Sequence, residues 1–170
     1  LMVCLAETVK RLSREFTDVK LSKNMLDFSD CEHNCLKVLK NPEIAKIVTE
    51  KYDEIYIDEY QDTSKLQEEI FSCIKKENNL FMVGDIKQSI YRFRNTDPLL
   101  FKTKQKTFSK DTESLDRKII LSKNFRSRKN ILDSINFIFE RIMSEEAGEI
   151  DYNADEKLYF GAVYPEDAQN

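Results

Sequence analysis

Three short polar runs, each following an apolar stretch, hold the residues with the most chemical reach. The first is Asp58-Glu59-Tyr60-Gln61-Asp62, directly after Ile55-Tyr56-Ile57. A carboxylate placed there can hold Mg²⁺, directly or through water, because Mg²⁺ is a hard cation that takes oxygen ligands. A second carboxylate beside it can orient or deprotonate a water that attacks a γ-phosphate. An acidic strand-to-helix turn, in which Asp62 favours a helix N-terminus, accounts for the same residues without any chemistry.

The second run is Gly84-Asp85-Ile86-Lys87-Gln88-Ser89-Ile90-Tyr91-Arg92-Phe93-Arg94. Gly84 allows a sharp backbone turn. Gln88 is neutral and can donate a hydrogen bond to a terminal phosphate, then lose it on hydrolysis. Tyr91 and Phe93 offer flat faces for nucleic-acid bases, with Arg92 and Arg94 able to meet phosphates. Core aromatics beside a solvated arginine edge would give the same pattern. The third run, Leu121-Ser122-Lys123-Asn124-Phe125-Arg126-Ser127, presents an Arg suited to stabilising charge on a transferring phosphoryl group. Phe125 is suited to stacking on an adenine ring. The plain alternative is a strand-to-helix turn capped by Ser127.

These runs need a frame to bring them together, and the hydrophobic pattern supplies one. The segments 54–58, 80–83 and 119–121 read as three short strands, the first of them buried, and helical patterns separate them. Ser64 and Gln67 form a capping-box pattern for a helix through Lys76. Asp27 or Ser29 can cap another, Pro42 suits a first helical position, and Thr96-Asp97-Pro98 opens a further helix. Ile131, Leu132, Ile135, Ile138, Phe139 and Ile142 mark one face of an amphipathic helix. Leu5, Val9, Leu12, Phe16 and Val19 mark a helix seam that expects a partner helix. The polar stretch from Ser109 to Asp116 reads as a linker, and Tyr152 to Asn170 as a loosely ordered tail. Strands alternating with helices predict an α/β fold with a mainly parallel sheet and flanking helices. In such sheets ligands gather at the carboxyl ends of the strands, and all three polar runs lie there.

Taken in order, the segments 58–62, 83–94 and 124–127 resemble motifs II, III and IV of UvrD-like superfamily 1 DNA helicases. Leu26-Asp27-Phe28-Ser29-Asp30 is similar to the segment that re-enters the family's first RecA-like domain after its helical insertion. The wording of Phe81 to Phe101 and Asn136 to Tyr152 is most similar to bacterial members that are helicase/nuclease subunits. The resemblance implies an incomplete RecA-like (P-loop NTPase) helicase core. Residues 1–24 would end a helical insert, 25–110 would belong to the first motor domain, and 111–170 would begin the second. It further implies ATP and Mg²⁺ as cofactors, with Asp58 and Glu59 at the metal and Glu59 as catalytic base. Gln61 would lie near the nucleotide, Gln88 at the γ-phosphate, Phe125 on the adenine, and Arg126 would be the arginine finger. Tyr91, Phe93 and Arg94 would contact single-stranded DNA. Many relatives have Trp at the position of Phe93 and Tyr at that of Phe125; both changes keep a stacking ring.

The implied function is unwinding and processing of double-stranded DNA ends in recombinational repair, with a second, AddB-like helicase/nuclease chain as partner. A helicase of the same family without a nuclease is the nearest alternative, and a non-enzymatic DNA-binding remnant of a motor is another. The chain has three glycines, Gly84, Gly148 and Gly161, so it contains no G-x-x-x-x-G-K-[ST] phosphate loop. With neither that loop nor a nuclease domain, the segment by itself is expected neither to hydrolyse ATP nor to unwind DNA.

Composition sets the remaining bounds. The 170 residues are 41% apolar and 11% aromatic, enough for one domain or pieces of two. Net charge is −4, which argues against a protein that simply coats DNA. Its distribution is uneven: residues 86–130 carry thirteen Lys/Arg against four Asp/Glu, whereas residues from 140 onward carry two against nine. A basic middle between acidic flanks fits a localised phosphate-binding surface, although a solvated mixed surface fits it too. No apolar run reaches membrane-spanning length, no signal-peptide pattern opens the chain, and the first residues read as the inside of a helix, as a piece of something longer would. Four cysteines form no disulfide framework, which points to a cytoplasmic setting. Cys31 and Cys35 flank His33, but their spacing with Leu36 and Leu39 predicts packing as small apolar residues rather than metal binding.

Overall fold

The structure, a computed structural model, describes residues 2–148 and 150–164. The elements run α1 (Met2–Ser22), α2 (Phe28–Leu39), α3 (Pro42–Glu50), β1 (Ile55–Ile57), α4 (Lys65–Ile74) and β2 (Leu80–Met82). They continue with α5 (Pro98–Thr107), β3 (Lys123–Asn124), α6 (Lys129–Ile142), the short α7 (Glu145–Gly148) and β4 (Tyr159–Phe160). The fold is α/β with short strands: β1 pairs with β2, and β3 pairs in parallel with β4. The chain divides into two compact units, one of Leu1–Ile57 with Thr63–Phe81 and one of Asp58–Asp62 with Met82–Asn170.

In the first unit, local side-chain-to-backbone bonds set where helices start. Asp27 caps α2 in a capping box closed by Asp30. Asn41 caps α3 with Pro42 in its first turn, and Ser64 caps α4 in a box closed by Gln67. The other end of the Gln67 amide donates to Glu32 Oε1 at 2.7 Å, fastening α4 to α2. Leu36 and Leu39 of α2 are buried, each contributing about 2 kcal/mol of apolar transfer. Helix α1 has no buried residue, and its seam of Leu5, Val9, Leu12, Phe16 and Val19 is exposed. Lys20 closes the α1–α2 corner on Asp27 Oδ2 (2.9 Å) and Asp30 Oδ2 (2.5 Å).

Cys31 and Cys35 do not pack as expected; both are exposed. The buried face of α2 runs through Leu36 and Leu39. At about 100° per residue, the midline of that pair lies roughly 70° round the helix from Cys35 and roughly 110° from Cys31. Among the described residues no three His, Cys, Asp or Glu side chains converge to hold a metal.

In the second unit the core is built on Tyr60, Ile86 and Leu132, all buried. Helix α5 is capped by Asp97, with Pro98 behind it. It sets Phe101 edge-on against Tyr60, with ring centroids 5.5 Å apart, a favoured arrangement for an aromatic pair. The loop after α5 is closed where Ser109 N donates to Asp116 O (2.9 Å) and Lys118 N to Ser109 O (2.7 Å).

The third strand differs from the expectation. Residues 119–121 are not a strand; the paired residues are Lys123 and Asn124, in register with Tyr159 and Phe160. A strand exists only where a neighbour completes its ladder. Ile119 and Leu121 have none among the described residues and are exposed. The partner strand β4 comes from the tail expected to be loose. Asn136 of α6 secures it: Nδ2 donates to Leu158 O (2.9 Å), while Oδ1 accepts from Leu158 N (3.1 Å) and the Tyr152 hydroxyl (2.7 Å). The part of that expectation that falls on residues 165–170 lies outside the described residues.

No helix of the described residues is long and apolar enough to cross a membrane.

Candidate functional site

All the candidate residues belong to the second unit. Strand β1 stops at Ile57, and the chain turns through Asp58 and Glu59 into a 3-10 turn over Tyr60–Asp62. Glu59 has φ 49°, in the left-handed region. That region costs a residue with a Cβ roughly 1–2 kcal/mol. Three hydrogen bonds hold Glu59 there. Its amide donates to Asp58 Oδ1 at 2.8 Å, its carbonyl accepts from Asp62 N at 2.9 Å, and its carboxylate accepts from Gln61 Nε2 at 2.6 Å.

Gln61 is only 1% exposed. Its Oε1 accepts from Asp85 N at 2.9 Å, and Tyr60 N donates to Val83 O at 2.9 Å, so the acidic turn is stitched to the turn after β2. Gly84 lies in this seam, where a Cβ would overlap Gln61 Oε1 and crowd the Tyr60 and Gln61 amides. Its φ is not positive. The glycine therefore serves close approach of two backbones rather than the sharp turn expected from the sequence.

Asp85 then caps the 3-10 turn of Ile86–Gln88. Its Oδ1 accepts from Lys87 N (3.0 Å) and Lys87 Nζ (2.8 Å), and its Oδ2 accepts from Gln88 Nε2 (3.1 Å). Asp58, Glu59, Gln61, Asp85 and Gln88 thus form one chain of hydrogen bonds. Lys87 also reaches Glu156 Oε2 at 2.5 Å. Burial works against the Lys87 charge, but the bonds from Asp85 and Glu156 outweigh it and hold the ammonium above the ordinary lysine value. The Asp62 carboxyl is pushed up, first by burial and then by the negative charge of Glu59, and its Oδ1 is buried without a hydrogen bond.

Three residues beyond Gln88 the aromatic cluster begins. Tyr91 and Phe93 have centroids 5.9 Å apart, and the Arg94 guanidinium lies 4.9 Å from the first ring and 5.6 Å from the second. Phe93 is 77% exposed, which leaves its ring face open to solvent. Asn95, at φ 63°, ends the 3-10 turn of Arg92–Arg94.

Asn124 shapes the third run, its Oδ1 accepting from the amides of Arg126 and Ser127, both at 2.9 Å. The cap position of α6 falls to Arg128, not Ser127. Phe125 is 67% exposed and packs over Gly161, where a Cβ would meet its ring. Among the described residues no hydrogen bond, ion pair or ring contact joins Phe125 or the Arg126 side chain to the hydrogen-bonded chain that runs from Asp58 to Gln88.

Asp58 and Glu59 are two neighbouring exposed carboxylates. Such a donor set suits Mg²⁺, which binds through one or two carboxylates and fills its shell with water and phosphate oxygens. Sequence reasoning missed two contributors. Asp85 was legible as a cap two residues before Lys87, whereas Glu156 meets Lys87 across 69 positions and carries no local signal.

The family described as "UvrD/REP helicase N-terminal domain" matches residues 5–109. An ATP-dependent helicase/nuclease subunit of Staphylococcus aureus strain bovine RF122 / ET3-1 is 48% identical over 171 residues, covering 95% of this chain and 14% of the relative. The proteins of the same name from strains JH9 and JH1 are each 49% identical with the same coverage. The chain therefore spans about a seventh of the length of these relatives.

Proposed function

The chain belongs to the UvrD/REP helicase N-terminal domain family, and we propose on that premise that it is the nucleotide-to-DNA coupling segment of an ATP-dependent DNA helicase/nuclease subunit. In this reading it supplies part of the first RecA-like motor domain over residues 25–110 and the start of the second over 111–170, with residues 1–24 ending a helical insert. The observation that carries the proposal is the hydrogen-bonded chain from Asp58 to Gln88, followed within six residues by an exposed ring pair with an arginine.

Each residue has work that follows from its place. Glu59, fixed by the Gln61 amide, receives the proton of the water that attacks the γ-phosphate. Asp58 and Glu59 would hold Mg²⁺, which when bound offsets charge on the β- and γ-phosphate oxygens. Gln88 now donates to Asp85, a bond it can exchange for one to a terminal phosphate. That exchange frees the Ile86–Gln88 turn to move, and three residues along the backbone it moves Tyr91 and the Phe93 face on which a base stacks. Arg94 meets the DNA phosphate. Phe125 stacks on adenine and Arg126 stabilises the transferring phosphoryl group when the second motor domain closes. The phosphate loop, absent from these residues, would come from elsewhere in the intact protein. The substrate would be double-stranded DNA ends, the partner a second, AddB-like chain, and the setting the cytoplasm.

The test is Glu59→Gln in the full-length protein. We expect ATP turnover to fall about a hundredfold or more with nucleotide affinity kept within about threefold. Turnover unchanged by the substitution would remove Glu59 from the reaction.

A further inference from the structure

We infer that Gln61 is a positioning residue: it fixes the Glu59 carboxylate and ties it to the turn that carries Gln88. This rests on the reading of Glu59 as base and Gln88 as phosphate contact given above.

A carboxamide has one donor end and one acceptor end, and here both are used. Nε2 donates to Glu59 Oε2 (2.6 Å) and Oε1 accepts from Asp85 N (2.9 Å). At 1% exposure the side chain has no surface left to offer a nucleotide, so any role in hydrolysis passes through its two partners. One partner needs such help. Glu59 is an exposed, flexible side chain on a left-handed backbone, and a base must sit within hydrogen-bond reach of its water to work. The other partner passes the constraint on, because Asp85 Oδ2 accepts from Gln88 Nε2.

Gly84 gives independent support. A Cβ there would overlap Gln61 Oε1, so the neighbouring turn leaves room for this amide. No other side chain of similar size replaces it. Glutamate would keep the acceptor for Asp85 N but put a third negative charge beside Glu59, next to Asp58 and Asp62. Methionine would keep the volume and lose both bonds.

In the full-length protein, Gln61→Glu, Gln61→Met, Gly84→Ala and Glu59→Gln are compared by three measurements. These are DNA-stimulated ATP turnover, affinity for a fluorescent N-methylanthraniloyl ADP, and hydrogen exchange at the Asp85 amide. For Gln61→Glu we expect kcat to fall about tenfold or more, with KM for ATP and ADP affinity within about threefold of wild type. Its Asp85 amide stays protected, since the acceptor remains. Gln61→Met loses kcat similarly and its Asp85 amide exchanges faster. Gly84→Ala, which displaces the amide while leaving Gln61 in the sequence, shows the same kcat-selective loss; a poorly folding Gln61→Met would therefore not decide the matter.

The inference is overturned if Gln61→Glu and Gly84→Ala both keep kcat within about threefold of wild type. It is also overturned if KM and ADP dissociation rise in step with the loss, which would make Gln61 a nucleotide contact. Turnover that survives Glu59→Gln intact instead overturns the assignment of the base. That result is recognisable whatever the Gln61 variants do.

Discussion

The turn over Asp58–Asp62 and the turn over residues 125–127 both follow a strand and both carry polar signature residues, yet they are built differently. In the first, Tyr60 and Gln61 are buried, and two bonds tie the turn to its neighbour, one at the Tyr60 amide and one at the Gln61 side chain, while a third, within the turn, holds the Glu59 carboxylate. In the second, the side chains of Asn124 and Tyr164 hold the backbone, and the Phe125 and Arg126 side chains stand exposed. A base must be in place before its water arrives, so rigidity serves it. An arginine that acts on a charge brought to it by domain closure gains from staying free until then. On the roles proposed for Glu59 and Arg126, pre-organisation and availability are separated along one chain.

Arg126→Ala breaks the comparison most sharply. In the full-length protein it should lower DNA-stimulated ATP turnover about a thousandfold. The melting temperature should stay unchanged, because the side chain makes no hydrogen bond or ion pair among the described residues. A fall in melting temperature to match would show that the open turn is structural after all. Phe93→Ala comes next. Loss of one stacked base costs about 1 to 3 kcal/mol, so single-stranded DNA should bind about five- to 150-fold more weakly, read by fluorescence anisotropy at fixed salt. Unchanged affinity would mean that the exposed ring serves something other than DNA.

The smallest effect concerns the α1–α2 corner, a charged contrast to the neutral Gln61 clamp. Hydrogen bonds from Lys20 hold the Asp27 and Asp30 carboxyls below the ordinary carboxylate range, and bonds with Asp30 and Asp27 hold the Lys20 ammonium above the lysine value. A depressed carboxyl stabilises the fold at neutral pH and loses that contribution as pH falls through its folded value. Protection from hydrogen exchange over residues 23–32, taken relative to the intrinsic rate at each pH, should therefore fall as the solution is taken below the ordinary carboxylate range. The change should be slight, since ion pairs at the surface contribute little even when half-buried, as Lys20 and Asp30 are. An equal response at the Asp85 amide would blur the distinction between the two kinds of junction.

Features set by neighbours a few residues apart could be read in the sequence. The Ser64–Gln67 capping box, the Asp97-Pro98 helix start and Pro42 depend on local bonds and are found, and the strands expected at 54–58 and 80–83, whose apolar runs are a local signal, are found over Ile55–Ile57 and Leu80–Met82, paired with each other. Features that depend on distant partners could not. Nothing in residues 119–121 says that no neighbour pairs with them, or in Tyr159-Phe160 that Lys123 and Asn124 do. The exposure of Cys31 and Cys35 depends on which face of α2 meets α4. At the site, Asp58, Glu59 and Gln88 stood out by type and position, whereas the burial of Gln61 required knowing that Gly84 would lie against it.

Asn136 has a consequence beyond fastening α6. Alternate residues of a strand direct their peptide groups to opposite sides. Tyr159 N donates to Ser122 O on the β3 side, so the Leu158 groups face outward, and both are spent on one carboxamide. An incoming strand from another molecule would find no free donor or acceptor at that point. The helix thereby blunts the outer edge of a two-stranded ribbon and guards a protein with several exposed apolar residues against fibre-like stacking.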